Sequence, residues 1–380
     1  MASILILGAG FGGLEVATRL SEALDDRYDI TLVDRKDGFY VGFSKIEVLF
    51  GRKTPEEVTF PYEFLRADRV RFVRDTVVEI DTDARRVRTM GRELGYDYLV
   101  VALGAHLDPE ATPGFIESGG YEFYSMEGAA KLAPVIQEFS AGTLVIGILG
   151  LPYMCPPAPY EVACQMHALF EERGLRDAIT MKMVIPGARP VPNPAASDGL
   201  EAQLARRNIE LIAEAPIDSI AAGSKTLHTS RGEVPFDLFV GVPVHVPPPV
   251  VAASNISDGG FVSVDLRTLE TSVPNVYAVG DVTHIPAADK VVPKAGAFAE
   301  DAARTVASDI LRKEGFATET VPFKARGACY VEFGGGEIAR IDADFLGGDQ
   351  PRMAFLDPSP ELQRDKERFE SERRERWFQM

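Results

Sequence analysis

The sequence has 380 residues, enough for two or three packed domains, and an ordinary balance of 46% hydrophobic and 26% charged residues. Its formal net charge of -17 argues against a nucleic-acid partner and against adhesion to an anionic membrane by charge alone. No apolar run approaches the length of a membrane span, and no basic region or cleavage site precedes the first strand. We therefore expect a cytoplasmic protein without a signal peptide, with at most peripheral contact at the inner face of the cell membrane.

The first 34 residues have the pattern of a strand, a glycine-rich turn, a helix and a second strand. An apolar run over residues 3–7 is typical of a buried parallel strand, and a G-x-G-x-x-G motif over residues 8–13 follows it. A helical spacing of apolar residues then leads to a second apolar strand over residues 28–33. The motif alone is weak, but this order, with Asp34 placed 21 positions beyond Gly13, predicts a dinucleotide site.

Each residue of this motif has a separate physical task at such a site. Gly8 permits the tight turn, Gly10 lets backbone N–H groups approach a pyrophosphate, and Gly13 lets the helix pack closely on the strand. The N-terminus of the helix then faces the negative charge, and Asp34 accepts hydrogen bonds from a ribose. The alternative interpretation is a glycine-rich turn that binds no ligand.

The middle of the chain repeats this unit. A strand over residues 144–147, a helix over 159–173 and a strand over 181–185 follow the same order. Later, residues 236–243 resemble the earlier buried strand over residues 96–104. The repeat predicts an α/β fold with two Rossmann-like dinucleotide-binding domains, the second inserted into the first, and a small C-terminal α+β region. The predicted boundaries are 1–108 with 240–315 for the first domain, 109–239 for the second, and 316–380 for the C-terminal region.

The second copy departs from the first where a ligand would bind. Aligning the two units puts Leu149 in the position of Gly10 and Pro152 in that of Gly13. A side chain at Leu149 would obstruct a pyrophosphate, and the second strand of this copy ends on Pro186 without an acid. We therefore predict a degenerate NAD(P)-like domain that keeps the fold and has lost much of the nicotinamide site.

Taken together, the glycine motif, Asp34, the strand end Ala102-Leu103-Gly104 and the segment Tyr277–Asp281 resemble the two-dinucleotide-domain flavoproteins, which have a glutathione-reductase-like fold. The resemblance implies that the first site holds the ADP half of FAD and that Asp281 binds the ribityl chain. The cofactor-binding residues that it implies are Gly8, Gly10, Gly13, Asp34, Val78, Gly104, Asp281 and Lys294.

A narrower and more specific resemblance lies at Cys155-Pro-Pro-Ala-Pro-Tyr-Glu161. This segment is similar to the Cys-Pro-Pro-x-Pro-Tyr-Glu segment of the flavocytochrome c sulfide dehydrogenase flavin subunit and of the sulfide:quinone oxidoreductases. Cys329 matches the second redox cysteine of that group, and the loop at Lys294 resembles the loop beside the flavin ring. The resemblance implies sulfide or a small sulfur compound as substrate and a quinone or other electron acceptor. Its implied catalytic residues are Cys155, Cys329, Glu161 and Lys294.

The chemistry expected of such a pair starts from a disulfide. Hydrosulfide attacks one sulfur, which leaves a persulfide and a thiolate, and the thiolate passes two electrons to a stacked flavin. The alternative for Cys155 and Cys329 is two buried structural thiols, and Cys164 is expected in the core. Glu161 has two open roles, proton transfer and capping of the helix start. Lys294 favours an anionic reduced flavin, with a solvated lysine as the alternative.

Two functions stay open at this point. The first is FAD-dependent sulfide oxidation with a quinone as acceptor, and the second is an NAD(P)H-dependent FAD oxidoreductase that reduces a disulfide, persulfide or quinone. The degenerate second motif favours the first, whereas the lack of any cysteine before Cys155 keeps the second open, because many quinone-reducing members have a third. A quinone is dissolved in the membrane, so the apolar tip Trp377-Phe378 is the predicted point of membrane contact. The five histidines have no metal-ligand spacing, and a homodimer is one open oligomeric state.

Overall fold

The computed structural model describes residues 2–379, and its first domain is built on a parallel sheet of five strands. These strands lie in the spatial order Val276–Ala278, Tyr98–Val101, Ala2–Leu7, Tyr28–Asp34 and Val70–Arg74. Ile4 and Ile6 pack on the face that is covered by helices Phe11–Ala23 and Gly296–Lys313. Leu5 and Leu7 pack on the opposite face, in the core that includes Ile80 and Val87 of a small antiparallel sheet. Because both faces are covered, the strands are continuous apolar runs.

The second domain repeats this arrangement. Its four parallel strands lie in the order Leu238–Val242, Gly142–Ile148, Ile179–Val184 and Ile209–Ile212. Each domain also carries a three-stranded antiparallel sheet just before the strand that pairs with its first strand. These small sheets are Val77–Asp81, Arg86–Thr89 and Glu93–Gly95 in the first domain, and Ile217–Ala221, Thr226–Thr229 and Gly232–Pro235 in the second. The matching order confirms the predicted two Rossmann-like domains.

The chain crosses between the two sheets at a pair of short strands. His106–Asp108 pairs antiparallel with Val244–Val246, and Val276–Ala278 then returns to the first sheet. The strand Leu238–Val242 still belongs to the second sheet, so the boundary predicted between residues 239 and 240 falls inside it. The helices of the second domain are Met126–Glu138, Ala158–Glu172 and Pro194–Arg206.

The C-terminal region is an antiparallel sheet followed by one helix. Its strands are Arg326–Glu332, Ile338–Asp344 and Arg352–Leu356, and the first two have seven residues each. The helix Pro360–Trp377 begins after Ser359, whose side chain accepts a hydrogen bond from the backbone N–H of Leu362. The remaining short elements are Gly38–Phe39, Ser44–Leu49, Pro55–Val58, Phe60–Pro61, Pro249–Ala252, Pro286–Ala287 and Lys290–Val291, with 3-10 turns at Tyr62–Phe64, Pro109–Ala111, Arg176–Ala178 and Gly280–Val282.

The apolar tip of the C-terminal helix is buried, and its prediction as an exposed membrane contact is wrong. The side chain of Trp377 is 0% exposed, and its Nε1–H donates a hydrogen bond to Glu15 on the first helix at 3.0 Å. Phe378 stacks on Phe39 with ring centroids 6.3 Å apart, and its ring also lies 5.6 Å from that of Phe60. The helix therefore folds back on the first domain and buries its tip there. Within residues 2–379, no helix has both the length and the hydropathy that crossing a bilayer requires.

Candidate active site

The glycine-rich turn closes tightly between the first strand and the first helix. Gly8 has a φ of +98°, and a Cβ atom on it would lie 2.3 Å from the carbonyl oxygen of Ala102. A Cβ atom on Gly13 would lie 1.8 Å from the carbonyl oxygen of Gly8. Both glycines are therefore required by the packing of the protein itself.

Gly10 lies beside open space. Its φ of -83° is one that any residue adopts, and a Cβ atom on it would meet no other atom within 4 Å. No side chain caps the helix Phe11–Ala23, and its first turn contains no acid. Unpaired N–H groups at a helix start favour an anion, so the space beside Gly10 fits a pyrophosphate.

The other residues predicted for the nucleotide site are Asp34, Gly104 and Val78. A carboxylate oxygen of Asp34 accepts a hydrogen bond from the backbone N–H of Ala9 at 2.7 Å, which fixes the acid beside the turn. Gly104 has a φ of +70° and open space where its Cβ atom would lie. Val78 is exposed on the strand Val77–Asp81. Their contacts with a cofactor stay predictions.

Asp281 has the properties expected of a residue that binds a polyol. Its carboxylate accepts no hydrogen bond from any other residue in the part of the chain that the structure describes. Burial raises its pKa, while the nearby charges of Lys294 and Lys45 oppose that shift. Together with the open space at Gly10, this unpaired acceptor fits the ribityl and pyrophosphate parts of FAD.

The second domain lacks an equivalent turn. In the first domain three residues, 8–10, connect the strand to the helix, whereas nine residues, 149–157, do so in the second. Leu149 is buried in a core cluster with Phe115 and Val145.

Thr143 and Asp237 form the same backbone and side-chain hydrogen bonds as Ser3 and Asp97, so the two sheets align Leu149 with Ala9 and Gly150 with Gly10. The alignment made from the sequence, which put Leu149 in the position of Gly10, is therefore wrong by one residue. A Cβ atom on Gly150 would lie 2.6 Å from the side chain of Val244, so the space that is open beside Gly10 is filled by Val244 in the second domain.

Cys155 and Cys329 are brought together from distant parts of the sequence. Cys155 lies in the connection 149–157, and Cys329 lies in the middle of the strand Arg326–Glu332. Both are free thiols in this structure, and their side chains lie close enough for each to change the pKa of the other. The N–H of Cys155 also donates to the carbonyl oxygen of Lys294 at 2.8 Å, which joins the thiol pair to the predicted flavin loop.

The two thiols differ in acidity because they share one hydrogen bond. The pKa of Cys155 is raised well above its usual range by the hydrogen bond with Cys329 and by burial. The pKa of Cys329 is lowered by the hydrogen bond that Cys155 donates. Cys155 has a φ of +46°, a strained conformation for a non-glycine residue, which costs on the order of 1 kcal/mol. Cys164 is fully buried in the core, as expected.

Lys294 is held inside the protein and is not a solvated lysine. Its Nζ donates hydrogen bonds to the backbone carbonyl oxygens of Asp281 and Thr283, the latter at 3.1 Å. The ammonium group also lies 3.4 Å from the ring centroid of Phe261. Burial lowers the pKa of Lys294 to about 8, against the opposing charge of Asp281.

Glu161 lies in the first turn of the helix Ala158–Glu172 but does not cap it. Its carboxylate accepts a hydrogen bond at 3.1 Å from the backbone N–H of Glu332, on the strand that carries Cys329. The side chain is only 2% exposed, and burial raises the pKa of Glu161 to about 7. A carboxyl group with this pKa exchanges a proton near neutral pH.

Three residues at this site were missed by sequence reasoning. Lys45 donates a hydrogen bond to the carbonyl oxygen of Tyr124, and its charge acts on Cys155, Asp281 and His245. The ring of His245 is buried edge-on to Tyr124, with centroids 5.0 Å apart, and burial lowers the pKa of His245 to about 4. These residues come from separate segments with no fixed spacing, so only the fold could bring them together.

Comparison with known proteins gives consistent results. The model of the pyridine nucleotide-disulphide oxidoreductase family matches residues 2–303. A mitochondrial sulfide:quinone oxidoreductase of Mus musculus is 26% identical over 309 residues, which cover 74% of this chain and 66% of that protein. A sulfide-quinone reductase of Aquifex aeolicus is 28% identical over 354 residues, 87% of this chain and 81% of that protein.

A solved structure extends the similarity to almost the whole chain. The X-ray structure of the sulfide:quinone oxidoreductase from Aquifex aeolicus matches with a TM-score of 0.87 at 24% identity, over 98% of this chain and 90% of that chain. At this identity the likeness shows the fold. Because the family model covers most of the sequence, the chain belongs to the pyridine nucleotide-disulphide oxidoreductases, a family of FAD-binding flavoproteins.

Proposed function

We propose that this protein oxidises sulfide through the Cys155–Cys329 pair and passes the electrons by way of FAD to a quinone. The observation that carries the proposal is the contact between these two thiols, with Cys155 hydrogen-bonded to the loop at Lys294. The names of the mouse and Aquifex relatives support sulfide as donor and quinone as acceptor. The cofactor-binding and catalytic residues predicted from the sequence, and the three-region division of the chain, are part of this proposal.

The first step is an exchange reaction between sulfur atoms. In the oxidised protein Cys155 and Cys329 form a disulfide, which their closeness in the fold supports. Hydrosulfide attacks one of the two sulfur atoms, a new S–S bond forms, and the old S–S bond breaks. One cysteine then carries a persulfide, and the other leaves as a thiolate. No other oxidant is needed for this step, because the disulfide is itself reduced.

The surrounding residues handle charge and protons. Lys45 places a positive charge near Cys155, which favours the approach of an anionic sulfide and the formation of a thiolate. Glu161 takes the proton that the new persulfide releases, since its pKa of about 7 allows uptake near neutral pH. FAD, when bound, supplies the two-electron redox chemistry between the thiolate and the quinone. Lys294 and the N-terminus of the helix that begins at Gly296 would favour negative charge on the reduced cofactor.

The alternative, an NAD(P)H-dependent reductase, needs a working second nucleotide site. The nine-residue connection 149–157 and the side chain of Val244 beside Gly150 argue against one. Peripheral membrane contact at the inner face stays part of our proposal because a quinone is dissolved in the bilayer, but the contact requires a surface other than Trp377 and Phe378.

The proposal is tested by the reductant that the flavin accepts. Purified yellow protein is mixed anaerobically with sulfide or with NADH, and the flavin absorbance is followed. We expect rapid bleaching by sulfide and reoxidation when a quinone is added. Reduction by NADH but not by sulfide would favour the alternative.

A further inference from the structure

A buried charged cluster joins the two cysteine-bearing elements to the C-terminal helix. Glu161 lies on the helix that begins three residues after Cys155, and it accepts a hydrogen bond from the N–H of Glu332, three residues after Cys329. The carboxylate of Glu332 accepts a hydrogen bond at 2.7 Å from Nζ of Lys366. Lys366 therefore connects the C-terminal helix, through Glu332, to Glu161 of the candidate active site.

A second branch of the cluster runs from Glu161 toward solvent. Gln165, one turn further along the same helix, donates to the carboxylate of Glu161 at 3.4 Å. Arg52 donates to the side-chain oxygen of Gln165 at 2.7 Å and to Glu47 at 2.8 Å. The side chain of Arg52 is 39% exposed, so its charge is partly screened by water.

Lys366 is the buried cation of the cluster, with an exposure of only 8%. Burial disfavours its charge, but Glu161 and Glu332 together raise the pKa of Lys366, so the ammonium form persists. An ammonium group removed from water is retained only with such partners. Lys366 is less screened by water than Arg52. It is therefore the positive charge that lowers the pKa of Glu161 most and opposes the effect of burial on this carboxyl group.

The groups that act on Glu161 come from every element packed around it. Besides Lys366 and Arg52, one carboxylate acts on the pKa of Glu161. Glu161 in turn raises the pKa values of four further groups, namely the two thiols of the candidate pair, a core thiol and a phenol. These groups are Glu332, Cys155, Cys329, Cys164 and Tyr124. Apart from the thiolates that form during reaction, Glu332 is the anion that opposes ionisation of Glu161, and its own charge is paired with Lys366.

We propose that Lys366 is a positioning residue for proton transfer to Glu161 when the cysteine pair reacts, an inference that rests on the proposed function. Attack of hydrosulfide on the disulfide gives a persulfide S–H and a thiolate. The S–H bond then breaks, the proton moves to the carboxylate of Glu161, and the persulfide keeps the bonding electron pair as an anion. Lys366 keeps Glu161 ionised beforehand, so that the carboxylate is ready to accept this proton.

The test compares Lys366→Met with Lys366→Arg, which keeps the charge, and with Arg364→Met on the same helix, where the side chain is 62% exposed. The first readout is infrared titration of the protonated carboxyl band of Glu161 in the FAD-loaded protein, assigned by its loss in Glu161→Gln. We expect the midpoint to rise by about one pH unit in Lys366→Met, because Lys366 is the positive charge that most favours the ionised form of Glu161. Lys366→Arg and Arg364→Met should keep the wild-type midpoint.

The second readout is the pH dependence of flavin reduction by sulfide. In Lys366→Met, the pH at which the rate falls on the acidic side of the profile should rise by the same amount, since Glu161 must be ionised to accept the proton. If Lys366→Met does not yield folded flavoprotein, Lys366→Gln removes the charge and keeps a hydrogen-bond donor for Glu332. Unchanged infrared midpoints and unchanged acidic sides of the profile in these variants would overturn the inference. If the infrared midpoint of Glu161 shifts but sulfide does not reduce the flavin, the proposed function is refuted, while the effect of Lys366 on the ionisation of Glu161 is confirmed.

Discussion

Gly10 combines an unstrained backbone with open space on the side where a side chain would lie. Nothing in the protein therefore requires a glycine there, in contrast to Gly8 and Gly13, where a Cβ atom would collide with backbone. In our proposal the requirement at Gly10 comes from the FAD pyrophosphate, which has to approach the backbone closely.

This contrast makes Gly10→Val an informative substitution. The variant should fold with nearly wild-type stability, because its new side chain meets no protein atom, but it should lose FAD because that side chain fills the pyrophosphate space. The flavin-to-protein absorbance ratio after gel filtration measures the loss, and thermal unfolding of the apoprotein checks the fold. Gly223→Val, at another glycine with open space around it, is the matched control and should keep its flavin. Full FAD occupancy in Gly10→Val would show that FAD does not bind at the glycine-rich turn of the first domain.

Glu161 gives a prediction with a defined direction in pH. The carboxyl group accepts a proton only when it is ionised, and its pKa is about 7. The rate of flavin reduction, expressed per hydrosulfide ion because hydrogen sulfide itself ionises near neutral pH, should therefore fall as the pH falls through 7. Glu161→Gln should abolish this limb and lower the rate by about a hundredfold, a loss typical of a removed general base. Stopped-flow absorbance from pH 5 to 9 provides the measurement, and an acidic limb that persists in Glu161→Gln would assign the titration to another group.

At the scale of elements, the connections between strand and helix decide which ligands the two domains bind. The three-residue turn of the first domain exposes helix N–H groups, whereas the connection 149–157 of the second carries Cys155 and leads into a helix whose start faces the thiol pair. The same sheet topology thus carries the proposed nucleotide turn in one domain and the proposed redox cysteine in the other.

The altered connection predicts poor use of nicotinamide cofactors. The side chain of Val244 fills the space beside Gly150 that a pyrophosphate would need, so NADH and NADPH should bind weakly and reduce the flavin slowly. Stopped-flow reduction with either cofactor should give rates far below the ~10 per second that is typical of enzyme turnover. Val244→Ala, which opens the space beside Gly150, is a useful companion variant, although the nine-residue connection should keep it a poor NADH oxidant. Reduction of the wild-type protein by NADH at ordinary enzyme rates would contradict this interpretation.

The end of the C-terminal helix packs against the first helix of the chain and so joins the two ends of the molecule. Trp377 and Phe378 fill a pocket of aromatic residues on the first domain, and Arg376 pairs with Glu15 at 2.7 Å. The same helix carries Lys366 into the candidate active site. Packing at the end of the chain therefore stabilises the site as well as the fold.

This closure predicts a cost in stability that a membrane anchor would not have. Trp377→Ala should lower the free energy of unfolding by about 3 to 5 kcal/mol, because a large buried side chain is lost and Glu15 loses a hydrogen bond. Chemical denaturation of the purified protein measures the change, and Arg374→Ala, at an exposed position of the same helix, is the control. A Trp377→Ala protein with unchanged stability but weaker sedimentation with vesicles would restore the membrane role that the sequence suggested.

Local patterns were sufficient for much of the fold and for part of the site. Buried parallel strands are continuous apolar runs, so the strands around the glycine motif and their repeat in the second domain could be recognised without a structure. The Cys-Pro-Pro segment marked one half of the thiol pair. Long-range packing was not predictable: the burial of Trp377, the position of Lys45 beside Cys155, and the contact of Lys366 with Glu332 depend on elements that are distant in sequence.

The central claim is that Cys155 and Cys329 act as one redox pair over the flavin, and single substitutions test it most directly. Cys155→Ser, Cys329→Ser and the control Cys164→Ser are purified with FAD, made anaerobic and mixed with sulfide while the flavin absorbance is followed. Persulfide formation and electron transfer from the thiolate both need sulfur. We predict that all three proteins keep their flavin, that sulfide bleaches the wild type and Cys164→Ser, and that it leaves Cys155→Ser and Cys329→Ser oxidised. Rapid bleaching of either pair variant by sulfide would contradict the mechanism.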